Sequence, residues 1–394
     1  MAEKIALKAV SKVFGPAPDK ALELARQGLG KDEVFDRTGS AIGVFDASFT
    51  VNAGEIFVVM GLSGSGKSTV LRMLNRLIEP TTGEIVIDGR DIVTMAPEEL
   101  VALRRRDIAM VFQSFALLPH LSVLENAAFG LEVAGVDHKA RLDRAHQALE
   151  QVGLKASADL FPDELSGGMQ QRVGLARALA TEPSILLMDE AFSALDPLLR
   201  RDMQEDLLKL QEREEHTVVF VSHDLDEAMR IGDRIAIMQS GRLLQAGTPR
   251  EILDAPATDY VRSFFQNVDI GQVYTAGDIC QRADPVFREG RDTAAEAASA
   301  LASRGVEYGY VVDEGDRLLG MVSAETLRSA PSGAPASEYR FETPNALSAR
   351  TPLSRILGPV ARASFPLPVL GRRGRLVGVV SRAELLKALE KNDE

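Results

Sequence analysis

Three short stretches combine residue types suited to phosphate chemistry. Residues 61–69 read GLSGSGKST, a complete Gly-x-x-x-x-Gly-Lys-Ser pattern that follows an apolar run and opens a helical one. Gly61, Ser63, Gly64, Ser65 and Gly66 form a segment whose backbone N–H groups can wrap the β- and γ-phosphates of a nucleotide. Lys67 adds a point charge there, the Ser68 hydroxyl is placed for Mg²⁺, and Thr69 carries the loop into its helix. Residues 185–190, ILLMDE, set two acids at the end of an apolar strand pattern: Asp189 for magnesium and Glu190 as general base toward water. The third stretch is LSGGMQQR at 165–172. A Ser-Gly-Gly opening a helix offers exposed N–H groups and a positive dipole end to an anion. One chain thus carries two phosphate-binding starts, well separated in sequence.

The surrounding pattern predicts elements that position them. Strand signals cover 5–14, 43–51, 55–60, 85–89, 108–113, 185–190, 217–224 and 234–247, with a helix at 68–78 and mostly helical periodicity over 122–180. This alternation predicts an α/β layer fold. Between the first two strands, residues 16–42 form an insertion with a short helical pattern, an Asp19 cap and a glycine stop at Gly28 or Gly30. Beyond about residue 270 the style changes. Two segments match at an offset of 58 positions: Thr293 to Thr351, Gly320 to Gly378 and Ser323 to Ser381. Each reads helix, strand, turn, strand, helix, so two copies of one supersecondary unit are expected to pack together.

Composition narrows the possibilities. A chain of 394 residues has room for two or three domains, and its formal net charge of −12 opposes a nucleic-acid partner. The opening MAEKIALKAV has polar breaks where a signal peptide needs a continuous apolar region, and no apolar run is long enough to span a membrane. With Cys280 alone no internal disulfide can form, which fits a reducing compartment. Cytosolic residence is the expectation. His120, His138, His146 and His216 lack metal-ligand spacing. Phe14 reads either as core or as an aromatic that stacks an adenine ring. Gln113, at a predicted strand end, and His223, after VVFVS, read alone as a surface glutamine and a hydrogen-bonded structural histidine.

The order of motifs changes that reading. GLSGSGKST, Gln113, LSGGMQQR, ILLMDE, SALD at 193–196 and SHD around His223 together resemble the nucleotide-binding subunit of an ABC transporter over residues 1–270, with a helical subdomain at about 114–180. The resemblance implies a P-loop ATPase that uses ATP and Mg²⁺ and works as a head-to-tail homodimer. Ser166, Gly167, Gly168 and Gln170 of one copy would then close on the γ-phosphate held by the other, and Asp196 would contact the opposing site. It implies that Ser68, Gln113 and Asp189 serve the magnesium, that Glu190, His223 and Gln113 serve catalysis, and that Phe14 stacks the adenine. The apolar stretch FALLPHLSV at 115–123 reads as part of a groove for membrane subunits or as core.

Residues 271–394 resemble a tandem pair of CBS domains, an α+β module, at about 276–330 and 340–392. A single cassette with that pair and the 16–42 insertion is similar to the ATPase of glycine betaine/proline osmoprotectant importers. The resemblance implies integral membrane permease subunits, a solute-binding protein or domain, and a peripheral place on the cytoplasmic face of the bacterial inner membrane. Choline, carnitine or another amine is the alternative solute, and a soluble regulatory ABC ATPase the alternative role. Where nucleotide-binding CBS repeats end in Ser/Thr-x-x-Asp, this chain has Thr326 and Glu384, which weakens adenosine-nucleotide sensing. The cationic turn GRRGR, with Arg372, Arg373 and Arg375, offers an anionic lipid surface as the alternative signal.

Overall fold

The computed structural model describes residues 2–266, 270–341 and 345–390; positions 342–344 and 391–392 of the expected second CBS repeat lie outside them. The chain divides into two compact units, Met1–Gln266 and Asn267–Glu394.

The first unit opens with β1 (Glu3–Phe14), α1 (Pro18–Arg26), α2 (Lys31–Thr38), β2 (Ala41–Asn52), β3 (Ile56–Met60), α3 (Lys67–Leu74), β4 (Thr82–Ile87), β5 (Arg90–Asp91), α4 (Pro97–Arg106) and β6 (Ile108–Val111). Next come α5 (Val123–Val133), α6 (His138–Gln151), α7 (Gly167–Leu179), β7 (Ile185–Asp189), α8 (Pro197–Arg213) and β8 (Thr217–Ser222). The unit closes with α9 (Leu225–Ile231), β9 (Arg234–Gln239), β10 (Arg242–Gly247), α10 (Pro249–Asp254) and α11 (Asp259–Phe265). β1, β2, β4 and β5 make a four-stranded antiparallel sheet. The other sheet has order β10-β9-β3-β8-β7-β6 and is parallel except for β10.

Strands β3, β7 and β8 are buried along their whole length, IFVVM, ILLMD and TVVFVS. Such near-continuous apolar runs suit parallel strands covered on both faces. Val70, Leu71 and Leu74 of α3 join Phe57, Leu187 and Val221 in one core cluster. Register then aligns the strand ends: Met60 pairs with Ser222, Asp189 with Val221, and Val111 with Met188. The loops after β3, β6, β7 and β8 therefore leave one edge of the sheet side by side, where ligands bind in open α/β sheets.

Several expected boundaries move. The strand pattern at 108–113 stops at Val111, so Gln113 sits in a bend beyond it. The run 234–247 is a hairpin, broken by Ser240 and Gly241, both at positive φ. Asp19 does not cap the insertion's helix; Ala17 holds that position, Pro18 starts the helix, and Asp19 lies in the first turn. Proline preset for the first turn explains the shift. The insertion holds two helices, since Gly30 begins α2 and Gly39 ends it in the left-handed region. Ala21, Leu22, Ala25 and Val34 of the pair pack with Val13, Ile42 and Phe45 of β1 and β2 in a core of their own.

The second unit contains α12 (Ile270–Val273), α13 (Ala276–Ile279), β11 (Val286–Arg288), α14 (Ala294–Arg304), β12 (Tyr308–Val312), β13 (Leu318–Ser323) and α15 (Ala324–Arg328). β14 (Leu347–Ser348), α16 (Leu353–Arg362), β15 (Leu367–Leu370), β16 (Leu376–Val380) and α17 (Arg382–Glu390) repeat the same plan. In each copy a parallel strand pair brackets a crossover helix and an antiparallel hairpin follows. Tyr310 and Met321 of one copy share a cluster with Phe365, Leu376 and Val379 of the other. The Tyr310 hydroxyl donates to the Pro366 carbonyl at 2.8 Å, and burial raises its pKa.

Candidate active site

The loop between β3 and α3 is a tight cradle. Gly61 and Gly66 have φ of 151° and 104°. A methyl on Gly61 would clash with the Met238 carbonyl, and one on Gly66 would meet the Gly43 carbonyl at 2.5 Å. Only glycine fits either place. Lys67, at the start of α3, is buried and donates from Nζ to the carbonyls of Gly61 (2.9 Å) and Leu62 (3.1 Å). Burial pulls its ammonium below the ordinary lysine value, against the raising pull of Glu190 and Asp189. The Ser65 hydroxyl is buried with no hydrogen-bond partner among the described residues.

Asp189 and Glu190 leave β7 in different directions. The Asp189 carboxylate is buried and accepts from the Ser68 hydroxyl at 2.7 Å and from Arg72 of α3 at 3.2 Å. Glu190 has φ 45° and anchors its N–H on the Val221 carbonyl at 3.1 Å. Its carboxylate becomes a hub. Oε2 lies 3.3 Å from His223 Nδ1 and 3.4 Å from Gln113 Nε2, while Oε1 lies 3.8 Å from Lys67 Nζ. Gln113 also donates to the Ser193 hydroxyl at 3.3 Å, and that hydroxyl donates to the Glu190 carbonyl at 2.9 Å. Four strand ends thus bring Lys67, Ser68, Gln113, Asp189, Glu190 and His223 into one cluster.

The remaining expected residues stand elsewhere. Ser166 caps α7, its Oγ accepting from the Met169 N–H at 3.3 Å. Gln170 donates back to the carbonyls of Pro162 (2.9 Å) and Leu165 (3.3 Å). Gly167 faces the Phe115 ring and Gly168 the Leu199 side chain. Asp196 caps α8 through the N–H groups of Leu198 and Leu199, each at 3.1 Å. Among the described residues no hydrogen bond joins Ser166, Gln170 or Asp196 to the Glu190 cluster. The Phe14 ring is exposed and lies against Gly43, whose carbonyl abuts Gly66 of the cradle.

Four supporting residues escape a motif reading. Arg200 donates to the carbonyls of Phe192, Ser193 and Leu195 and, at 3.2 Å, to Asp224, tying the loop after β7 to the loop after β8. A cation in the first turn of a helix opposes the macrodipole, which is the signal that would have flagged it. Arg177 of α7 grips the carbonyls of Ala116 (2.7 Å) and Phe115 (3.3 Å) just beyond Gln113. Asn126 is fully buried: its amide donates to the Leu118, Leu121 and Ser122 carbonyls and its oxygen accepts from Leu118 N–H. These two side chains hold the stretch read as groove or core, which is irregular and mostly half-buried or exposed. Glu227 of α9 is buried against Ser222 and Gln204, and burial raises its carboxyl.

In the second unit, Thr326 and Glu384 are engaged as helix caps with Ser323 and Ser381. Arg375 of the cationic turn faces Asp316, which also takes Arg288 at 2.6 Å. Those two cations hold the Asp316 carboxyl below its ordinary value, Arg288 foremost.

Comparison with known proteins gives the family. The ABC transporter family profile matches residues 44–193 and the CBS domain profile residues 276–333. The glycine betaine/proline betaine transport system ATP-binding protein ProV of Salmonella typhimurium is 52% identical, over 99% of this chain and 98% of that protein. The glycine betaine transport ATP-binding protein OpuAA of Bacillus subtilis is 47% identical, over 99% and 93%. Among solved structures, a dimeric bacterial ABC transporter cassette is 34% identical, covers 62% of this chain and 97% of its own, and has a TM-score of 0.52. A similar cassette in a post-hydrolysis state, bound to ADP and Pi, is 33% identical with the same TM-score. The chain belongs to the ABC transporter family, among the ATP-hydrolysing subunits of the glycine betaine transport type, and carries a CBS domain.

Proposed function

We propose that this chain hydrolyses ATP as half of a head-to-tail homodimer, and that the energy drives uptake of a glycine betaine- or proline betaine-type osmoprotectant. Integral permease subunits and a solute-binding protein or domain complete the transporter, and the chain sits peripherally on the cytoplasmic face of the inner membrane. Among the described residues no helix is long and apolar enough to cross one. The observation that carries the catalytic reading is the Glu190 carboxylate, ringed by Lys67, Gln113 and His223.

Ser68, Asp189 and Gln113 offer hydroxyl, carboxylate and amide oxygens, a hard donor set that suits Mg²⁺. The contact of 2.7 Å between Ser68 and Asp189 supports a shared ion site. When bound, the ion neutralises charge on the β- and γ-phosphate oxygens. The 61–69 cradle binds those phosphates, with Lys67 as point charge and Ser63, Gly64 and Thr69 adding backbone or hydroxyl donors. Phe14 stacks the adenine. Glu190 accepts the proton of the attacking water, His223 holds that water beside the γ-phosphate, and Gln113 links the site to the membrane subunits. Ser166, Gly167, Gly168 and Gln170 of the second copy close the site, and its Asp196 contacts the first copy across the interface. Residues 1–270 form the ATPase domain, and CBS repeats at 276–330 and 340–392 regulate it in response to anionic lipid, ionic strength or a nucleotide.

Glu190→Gln tests the assignment. ATP binding persists, hydrolysis falls by about 10²-fold or more, the loss expected of a general base, and a nucleotide-bound dimer accumulates on gel filtration. Rapid hydrolysis by that variant removes the base assignment. Uptake of labelled glycine betaine into vesicles holding the whole transporter tests the solute.

A further inference from the structure

The insertion between β1 and β2 places a cation beside the phosphate cradle. Lys31 is the first residue of α2, and its side chain lies over Gly241 in the turn between β9 and β10. A methyl on Gly241 would stand 3.0 Å from Lys31 Cε and 3.1 Å from Nζ. The Gly241 N–H donates to the Ser65 carbonyl inside the cradle at 2.9 Å, and its carbonyl accepts from Phe45 N–H at 2.8 Å. That same methyl position is 2.9 Å from the Gly43 carbonyl, the atom that abuts Gly66. On its other side Gly43 carries the Phe14 ring. Gly43 and Gly241 therefore both abut the cradle, with the Phe14 ring against Gly43 and the Lys31 side chain against Gly241.

The ammonium itself is unusual. Lys31 is half-buried, and among the described residues it makes no hydrogen bond or ion pair. Burial lowers its pKa from the ordinary lysine value, opposed only by the charge of Asp32. A cation taken partly out of water with no acceptor is costly unless a partner arrives. Lys67 already spends N–H groups on Gly61 and Leu62, so it leaves room for a second cation at this edge.

We propose that Lys31 is a further nucleotide-binding residue, a cation that the inserted helix pair lends to the phosphate end of ATP. The proposal rests on reading residues 61–69 as the ATP cradle. It gives the insertion a task in nucleotide affinity; glycine at 241 is required by its φ of 78° and by the Gly43 carbonyl, and its bare Cα also leaves room for the lysine.

The test is equilibrium binding of ATP, ADP and adenosine to the full-length chain and to Lys31→Met, with Lys67→Ala as control and thermal unfolding followed without nucleotide. Lys31→Met should weaken ATP and ADP about tenfold, the worth of one charge-assisted hydrogen bond. Adenosine affinity should stay unchanged, the unfolding temperature without nucleotide should not fall, and Lys31→Arg should restore most of the loss. Unchanged ATP affinity, or equal weakening for adenosine, overturns the proposal. If Lys31→Met unfolds early, Lys31→Arg and Lys31→Gln are compared below both transitions: tighter ATP binding by the arginine supports the role, and equal affinities overturn it. Lys67→Ala separates the two readings. If it also leaves ATP binding intact, the cradle assignment falls and this proposal with it; if it alone abolishes binding, only the Lys31 role is lost.

Discussion

Glu190 and Ser166 each stand at the junction of a loop and a regular element, yet their side chains are spent in opposite ways. Glu190 faces groups from three other loops at the sheet edge, Lys67, Gln113 and His223. Ser166 and Asp196 are exposed, and their side-chain bonds stay within the first turns of α7 and α8. The sheet edge is a site assembled within one chain. The helix starts are surfaces with N–H groups that have no intrahelical partner. A helix start capped only by its own serine, exposed and glycine-rich, is half of an anion site. The difference is what the proposed function requires, in which one copy binds ATP and a second closes the site.

Mixing variants would break or sharpen that contrast most strongly. Lys67→Ala should remove the cradle and Ser166→Glu the closing surface, each lowering hydrolysis about 10²-fold or more, as for loss of a preorganised electrostatic contact. In a mixed sample, heterodimers pair the intact cradle of one variant with the intact helix start of the other. Hydrolysis should return above the level of either variant alone. A mixture no more active than its components would mean that Ser166 serves its own chain's nucleotide.

A smaller effect separates the regions by stability. Asn126 satisfies three carbonyls and one N–H of the loop that leads from Gln113 to α5. Asn126→Ala takes the partner from the Leu118 N–H and the Leu121 carbonyl, while the Leu118 and Ser122 carbonyls keep backbone donors, at a cost of about 1–3 kcal/mol. Urea unfolding should report that loss. ATP binding by the surviving folded protein should stay near normal, because none of the cradle's contacts involves this loop. Loss of ATP binding at full stability would show that the helical side and the sheet edge are one unit.

The elements that a short pattern encodes completely were legible. The β3–cradle–α3 passage is one of them, because its glycines, lysine and buried strand are all local. Asp189 and Glu190 were legible because an apolar strand must end somewhere and two acids mark where. Gln113 was placed at a strand end although β6 stops at Val111; the boundary depends on pairing with β7, which local propensity does not contain. Arg177 and Asn126 were invisible because each binds backbone carbonyls of a loop, and any sequence presents carbonyls; Arg200 does the same, and only its place in the first turn of α8 marked it. The cationic turn read as three arginines open to a partner, yet Arg375 meets Asp316 from far back in the chain. Asp19 lost the cap to the helix start set by Pro18.

Glu227 provides the finest test of how tightly the sheet edge is built. Its carboxyl is buried beneath the His223 loop, accepting from Ser222 and Gln204, and burial raises its pKa above 4.5. Between 4.5 and the raised value the folded chain keeps a proton that the unfolded chain has released. Raising pH through that window therefore removes stability. Glu227→Gln cannot ionise, and its amide can still meet the Ser222 hydroxyl. Stability of the variant relative to the parent should grow as pH rises from 5 to 8, reaching about 1 kcal/mol, comparable to the net worth of a single hydrogen bond. Glu55, raised by burial in the same direction, is present in both proteins and cancels. Urea midpoints across that range measure the difference. Parallel curves would mean that the carboxylate is ionised at no cost in the folded protein, and that the floor beneath His223 is wetter and looser than the rest of the sheet edge.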